Sequence, residues 1–467
     1  MTAYIRTCIL LFYIFGAAHM ADAMTLDEAK ALYRAGRYAE ALPTFQEALA
    51  KKPTDGSLNH WTGVCLLKTG HPDAAKPLLT TAAKKRVTEA PRYLAEIAFY
   101  DYDVDAADEY IDDYRAALKR AKASMPADGE ALVDRIDRMR NMLDRVEKIV
   151  VIDSIAVDRD NFFAAYRLSP ESGSLYPSST LPESFAAAKN TVVYTPQSHE
   201  SMMWGMPDKD GNTVLVESSE LGDDSWEAPH TVGSELNGGG NADYPFVMSD
   251  GVTLYYASDG EGSLGGYDIF ISRREDNEFL APQNIGMPYN SPYDDYMLAI
   301  DELTGAGWWA TDRNRLDGKI TIYKFIPSDL RVNYSVDEPR LASFARIDSY
   351  RDTWAPGADY SALLKAIDAI DDEDNTVQRD FELGFPDGRV YTTWDDFRNP
   401  AARRKMEQYV DAMADFNDLT AELDGLRRQY ASGNTTVKAR ISELEKLRLS
   451  ERVQLRRLRN DVISAEN

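Results

Sequence analysis

At 467 residues, with 44% hydrophobic and 10% aromatic residues, the chain is too long for one ordinary core and far too apolar for a disordered protein. A formal net charge of −25 leaves no basic footprint of the kind that neutralises phosphates, so no nucleic-acid partner is expected.

Residues 1–23 read as a secretory signal. Arg6 precedes an apolar run from Cys8 to Ala18, and Ala21-Asp22-Ala23 has the small-x-small spacing of a cleavage site. The mature protein is therefore expected to be exported, periplasmic or peripheral to the outer membrane. The run is shorter than the roughly 20 residues that span a bilayer, and no later segment reaches that length, so the mature chain has no expected transmembrane span. Cys8 lacks the Leu-x-Gly/Ala-Cys setting of a lipoprotein acceptor. That leaves Cys65 as the one mature cysteine, a buried hydrophobe without a disulfide partner.

Residues 24–148 are expected to be helical. Residues 25–85 repeat at an offset of 34: Ala29/Gly63, Leu32/Leu66, Gly36/Gly70, Ala41/Ala75, Phe45/Leu79 and Ala48/Ala82 coincide. Small residues let paired helices approach, Phe45 and Leu79 fill the seam, and Gly36 and Gly70 end the first helix of each pair. A degenerate third unit runs from Tyr93 to Leu118, and a further helix from about Asp128 to Lys148 packs on the end. The period and pattern resemble the tetratricopeptide (TPR) repeat. That resemblance implies an α-solenoid whose concave groove binds protein partners, lined here by Lys30, Tyr33, His60 and Val64 from the first helix of each pair.

From Ile149 the helical period gives way to β-branched runs, and residues 149–330 read as an all-β domain, with an extension to 395 left open. A second repeat appears at an offset of 53: Trp226/Phe279, Pro229/Pro282, Gly233/Gly286, Asn237/Asn290, Ala257/Ala310, Ser258/Thr311 and Asp259/Asp312. Each unit reads as a four-strand sheet, the pattern of a β-propeller. Ser249-Asp250-Gly251 leading into Tyr255-Tyr256-Ala257-Ser258, followed by Gly265-Gly266-Tyr267-Asp268-Ile269-Phe270, resembles the TolB-like propeller repeat over 190–327. Three sheets are recognisable, so either 150–190 and 330–395 add strands, or the ring is incomplete, or the domain is a β-sandwich.

TPR repeats followed by such a propeller resemble the envelope accessory lipoprotein of the type IX secretion machinery. The lipoprotein cysteine and the OmpA-like end of that family are missing here, so the resemblance implies an envelope scaffold and no mode of attachment. Partners would be other envelope proteins.

Motifs for catalysis are few. Gly260-Glu261-Gly262-Ser263-Leu264-Gly265 fits G-x-G-x-x-G, yet a strand follows it where dinucleotide binding needs a helix N-terminus. Asp208-Lys209-Asp210-Gly211-Asn212 starts like a calcium loop, but position 219 is Ser, so a hairpin turn is expected. No nucleophile elbow, P-loop or C-x-x-C occurs, and the mature histidines at 60, 71, 199 and 230 are scattered. No cofactor and no metal site are expected, and the protein reads as non-catalytic. The alternative is a propeller that binds or hydrolyses a glycan or peptide with Asp243, Asp294 or Asp295 on one face.

Residues 331–399 read as a mixed linker with an acidic stretch at 371–374. Residues 400–467 read as coiled-coil helices: Phe416, Leu419, Leu423, Leu426 and Tyr430 form one seam, and Val437, Ile441, Leu444, Leu447, Leu455, Leu458 and Val462 a second. Either a hairpin folds back or two chains self-associate. Arg448, Arg452, Arg456 and Arg459 make a basic stripe, expected to be a solvated face or a dock for an acidic partner or lipid head group. The expected fold class is thus multi-domain α + β: TPR solenoid, β-propeller-like domain and C-terminal coiled coil.

Overall fold

The computed structural model describes residues 24–466 apart from 183, 222–224, 238, 276–277, 329, 369–380, 382, 386–388, 392 and 432–433. The expected signal segment and the acidic stretch at 371–374 lie outside the described residues. The chain divides into two compact units, 1–133 and 134–467.

The first unit is built from helices α1 (Leu26–Arg34), α2 (Tyr38–Lys51), α3 (Gly56–Lys68), α4 (Pro72–Lys84), α5 (Ala90–Tyr100) and α6 (Val104–Ala121), followed by α7 (Ala127–Leu143), which begins in it. Thr25 opens α1 with a capping box to Glu28. The 34-residue repeat has a direct physical cause. Gly36 and Gly70 take φ of +74° and +89°, and the amides after them, Arg37 and His71, reach back to Leu32 and Leu66 carbonyls at 2.9 and 2.8 Å. A Cβ on Gly63 would meet Leu79 Cγ at 2.8 Å, so this helix crossing admits no side chain there. Ala29, Ala41, Phe45, Ala75, Leu79 and Ala82 are all fully buried. The third unit repeats the turn with Tyr102 at φ +61° in place of glycine, and Asp103 bonds back to Ala98 at 2.9 Å.

The second unit begins its sheets with β1 (Val150–Asp158), then β2 (Ser174–Pro177), β3 (Val192–Thr195), β4 (Ser201–Pro207), β5 (Thr213–Leu221), β6 (Ser225–Trp226) and β7 (His230–Thr231). There follow β8 (Ala242–Val247), β9 (Thr253–Ser258), β10 (Asp268–Glu275), β11 (Glu278–Phe279) and β12 (Gln283–Asn284), then β13 (Asp295–Asp301), β14 (Ala306–Thr311) and β15 (Lys319–Ile326). They form three antiparallel meanders: β3-β4-β5 with β6 and β7, β8-β9-β10 with β11 and β12, and β13-β14-β15.

The outer edge of the third sheet is closed by β1, paired with β15 from Val150↔Ile326 to Asp158↔Lys319. The 150–190 stretch therefore adds an outer strand to an existing sheet, and β2 adds one to the inner side of β3, rather than building a fourth sheet. Among the described residues, 330–395 supply helices α8 (Leu341–Arg346) and α9 (Ser361–Asp368) and the two-residue pair β16 (Leu383–Gly384) and β17 (Val390–Tyr391), with no further blade. Among the described residues the array is three propeller-like sheets, so the two-sheet sandwich does not apply. The inner strands β3, β8 and β13 contribute Val192, Tyr194, Tyr244, Phe246, Tyr296 and Ala299 to one core, joined by Phe162 and Tyr166 and by Leu363 and Ile367 of α9.

The 53-residue repeat corresponds to hydrogen bonds that join one sheet to the next. Asn237 Oδ1 accepts the Leu215 amide at 2.8 Å, and Asn290 Oδ1 accepts the Ile269 amide at 2.7 Å. The Asn241 amide donates to Asp259 and the Asp294 amide to Asp312, at 2.6 and 2.9 Å. Asn241 Oδ1 and Asp294 Oδ1 in turn accept the amides of Thr213 and Tyr267, each in the preceding sheet.

Helices α10 (Pro400–Ala431) and α11 (Lys438–Glu466) form an antiparallel hairpin within one chain, with Leu419, Leu423, Ile441 and Leu444 in its seam. The Arg stripe is not a solvated face as a whole: Arg448 is buried and Arg452 and Arg459 are part-buried, while Arg456 is exposed. Arg448 and Arg459 donate to the carbonyls of Asp250 and Leu303, equivalent residues 53 apart in the β8–β9 and β13–β14 turns. The two arginines are 11 positions apart, about 16 Å along the helix, so one helix reaches both turns. Gly251, at φ +60°, sits against the Arg448 guanidinium, where any Cβ would collide.

Candidate functional site

The four residues expected to line a groove separate into two classes. Tyr33 Oη and His60 Nε2 lie 3.4 Å apart, and the His60 ring also meets Tyr93 at 5.6 Å. Lys30 pairs with Asp27 at 2.9 Å and lies over the Trp61 ring at 5.2 Å. Val64, by contrast, is fully buried among Ala75, Leu79, Leu94 and Ile97, so it packs the repeats together and lines nothing.

Three residues that the periodicity did not single out join this set. Arg92 covers the Tyr93 ring at 4.3 Å, and Lys68, paired with Glu96 at 2.5 Å, lies 5.8 Å from the same ring. On the first helices Lys30, Lys68 and Arg92 thus lie over aromatic rings that are themselves buried or half-buried, Tyr93 being 7% exposed. The period in sequence marks packing positions, whereas these contacts occur between repeats and follow no fixed offset.

His60 is 7% exposed, and its Nδ1 has no hydrogen-bond partner. Burial, with Arg92 adding, pushes its pKa down to about 4. The unfolded chain therefore takes up a proton at His60 before the folded one. Stability of the helical unit should fall as pH drops from 6.5 towards 4, by up to about 1.4 kcal/mol per pH unit from this group. Urea titrations across that range should show the slope in the native protein and its loss in His60→Asn.

Two of the three propeller carboxylates are engaged by local hydrogen bonds and an ion pair. Asp243 Oδ1 accepts from Thr191 Oγ1 at 2.5 Å and the Tyr244 amide at 2.7 Å, and a Cβ on Gly205 would lie 2.4 Å from it. Asp295 is fully buried, with Oδ1 on Arg313 Nη2 at 2.6 Å and Oδ2 on the Ser291 amide and hydroxyl, each at 2.6 Å. Both are consumed in joining backbone segments. Asp294 alone of the three is part-exposed.

Burial raises the Asp243 pKa to about 7, against the donors from Thr191 and Tyr244. A raised carboxyl favours the folded state when protonated, so its contribution is present in acid and lost as pH rises towards 7. Asp243→Asn keeps an oxygen for both donors and carries no charge. Its melting temperature at pH 7.5 should equal or exceed that of the native protein; a large loss would mean that the carboxylate itself is required.

Among the described residues no group of three or more His, Cys, Asp or Glu side chains could hold a metal ion. The hairpin turn expected at 208–212 lies between β4 and β5, where Asp208 Oδ1 accepts the Asp210 and Asn212 amides at 2.8 and 2.9 Å. Cys65 is buried, and its pKa is pushed up to about 12 by that burial, the opposite of an activated thiol.

No curated protein and no solved structure matches the chain. One family model does: residues 32–97 match the tetratricopeptide repeat, over the helices that carry Tyr33, His60 and Tyr93. The helical unit is thus TPR-like over residues 32–97.

Proposed function

We propose that this chain is a non-catalytic adaptor of the cell envelope that binds partner proteins through its tetratricopeptide unit. The observation that carries the reading is the match at 32–97, which coincides with an aromatic and cationic set on the first helices of the repeats. The absence of a catalytic motif in the sequence, and the structural use of Asp243 and Asp295, speak for binding over turnover. Export rests on Arg6, the Cys8 to Ala18 run and Ala21-Asp22-Ala23. A link to secretion or outer-membrane assembly rests on the resemblance to the type IX accessory family. No described helix is long and apolar enough to cross a membrane.

The test uses the full chain and a Lys30→Glu/Lys68→Glu variant as baits in envelope extracts. A partner recovered in stoichiometric amount by the native protein, and at least about tenfold less by the variant, is the expected result. Equal recovery by both baits would remove the repeat unit from the interaction. N-terminal sequencing of the mature protein should begin at Met24; an intact Met1 would remove the export reading.

A further inference from the structure

Three of the four most exposed large apolar side chains among the described residues, Leu330, Val336 and Val332 at 75%, 59% and 53%, fall in one short segment after β15. That segment is a strand edge. The Tyr334 amide donates to the Val146 carbonyl at 2.9 Å and the Lys148 amide to the Val332 carbonyl at 2.7 Å, so 331–335 runs antiparallel to 145–148 about a bridge between Asn333 and Glu147. The Glu147 amide reaches the Met287 carbonyl at 3.0 Å, so 145–148 has a neighbour on both sides and 331–335 on one.

In this pairing Asn333 turns its own amide and carbonyl away from Glu147. Among the described residues neither has a partner, nor do the amide and carbonyl of Arg331 or the amide of Ser335. Outward donors and acceptors two residues apart are a template for another strand. The side chains follow the same period: Leu330, Val332, Tyr334 and Val336 alternate with Arg331, Asn333, Ser335 and Asp337. Tyr334 stacks on Phe344 at 4.2 Å, and Arg331 donates to the Ile285 and Arg145 carbonyls, each at 2.9 Å. The segment is thereby held in place, and little ordering is left for a partner to impose.

We propose that 331–337 is a self-association edge, to which a second copy of this chain adds as an antiparallel strand. Outward groups must face outward groups, and a two-fold axis at Tyr334 meets that condition. It sets Arg331 opposite the partner's Asp337, Val332 opposite the partner's Val336 and Asn333 opposite the partner's Ser335. Opposite charges and apolar pairs then meet across the edge, and the Asn333 amide and carbonyl gain partners.

Sedimentation of the purified full chain tests this together with disulfide trapping. The native protein should pass from monomer to dimer as its concentration rises, and Val332→Lys/Val336→Lys should weaken the dimer at least about tenfold. Both valines are exposed, so this variant should melt like the native protein. Facing residues of this kind lie about 4.5 Å apart at Cα, within disulfide reach. Val332→Cys/Val336→Cys should therefore give a covalent dimer on mild oxidation at least about tenfold faster than either single cysteine, since each valine faces the other position. The native protein, with Cys65 buried, is the control. A monomer at all concentrations, a dimer that the lysine variant leaves unchanged, or single cysteines trapped as fast as the pair would each overturn the proposal. The outcome does not depend on the adaptor reading, since 331–337 lies outside the tetratricopeptide match.

Discussion

Arg452→Ala should release the α10–α11 hairpin from the sheets, at a cost of about 3 kcal/mol in the unfolding free energy of the second unit. Asp250 is 4% exposed, and beyond Arg452 it is held only by short donors of its own turn, the Val252 and Thr253 amides at 2.9 and 2.8 Å and the Thr253 hydroxyl at 2.7 Å. Arg452 pairs with it and also donates to Glu302 at 2.9 Å, so one guanidinium ties two equivalent turns to one helix. Removing it strands a buried carboxylate, which is costlier than losing the pair's own attraction.

Arg456 supplies the contrast: it is half-exposed and lies 3.4 Å from Glu302, so Arg456→Ala should cost less than about 1 kcal/mol. Trypsin should cut within 438–466 rapidly in Arg452→Ala and slowly in the native protein and in Arg456→Ala. Burial alone would raise the Asp250 pKa, but Arg452 and the turn donors outweigh it and leave it lowered. A lowered carboxyl contributes stability above its ordinary value of 3.8 and loses it as pH falls below, so the native hairpin should also loosen in strong acid.

Asn290→Ala should destabilise the second unit by roughly 2–4 kcal/mol. The side chain is fully buried, and it takes the place of a strand beside β10, accepting the Ile269 amide at 2.7 Å and donating to the Ile269 carbonyl at 2.9 Å. It also donates to Asn284 Oδ1 at 2.7 Å. Alanine leaves the buried Ile269 amide without its partner, while the Ile269 carbonyl keeps only the Ile285 amide at 3.2 Å. Asn290→Asp keeps the acceptor but puts a carboxylate beside the Ile269 carbonyl, so it should do no better than alanine. Asn237→Ala, at the equivalent junction, should behave in the same sense, since Asn237 binds Leu215 the same way. Chemical denaturation of the three variants measures this; a change under about 0.5 kcal/mol for Asn290→Ala would show that these asparagines do not join the sheets.

These residues also mark where reading from sequence succeeds. Asn237/Asn290, Gly36/Gly70 and Ala41/Ala75 recur because each performs the same local task in each unit: pairing a neighbouring amide, ending a helix, or allowing a close crossing. A task repeated in space leaves a period in the chain. The pairing of β1 with β15 left none, because it joins segments some 165 residues apart and occurs once. It also explains why no third asparagine follows Asn290: the edge that such a residue would cover is already paired to β1.

The arginine stripe was visible as a pattern, but its partner, two turns of the same chain, was not, since Asp250 and Glu302 look like ordinary turn acids. The candidate site divides along the same line. Tyr33, His60 and Val64 were all chosen from helical position, which does not separate buried from exposed residues, and His60 is 7% exposed. The facing helices bury Val64 altogether.

The central claim is that the first helices of the tetratricopeptide unit hold another protein. Cross-linking mass spectrometry in intact cells, with a lysine-reactive linker, tests it most directly because Lys30 and Lys68 border the aromatic set. The account predicts abundant links from these two lysines to one and the same second protein, lost in Tyr33→Ala/Tyr93→Ala. Links from Lys30 and Lys68 that stay within the chain, or that reach second proteins unchanged in that variant, would contradict it.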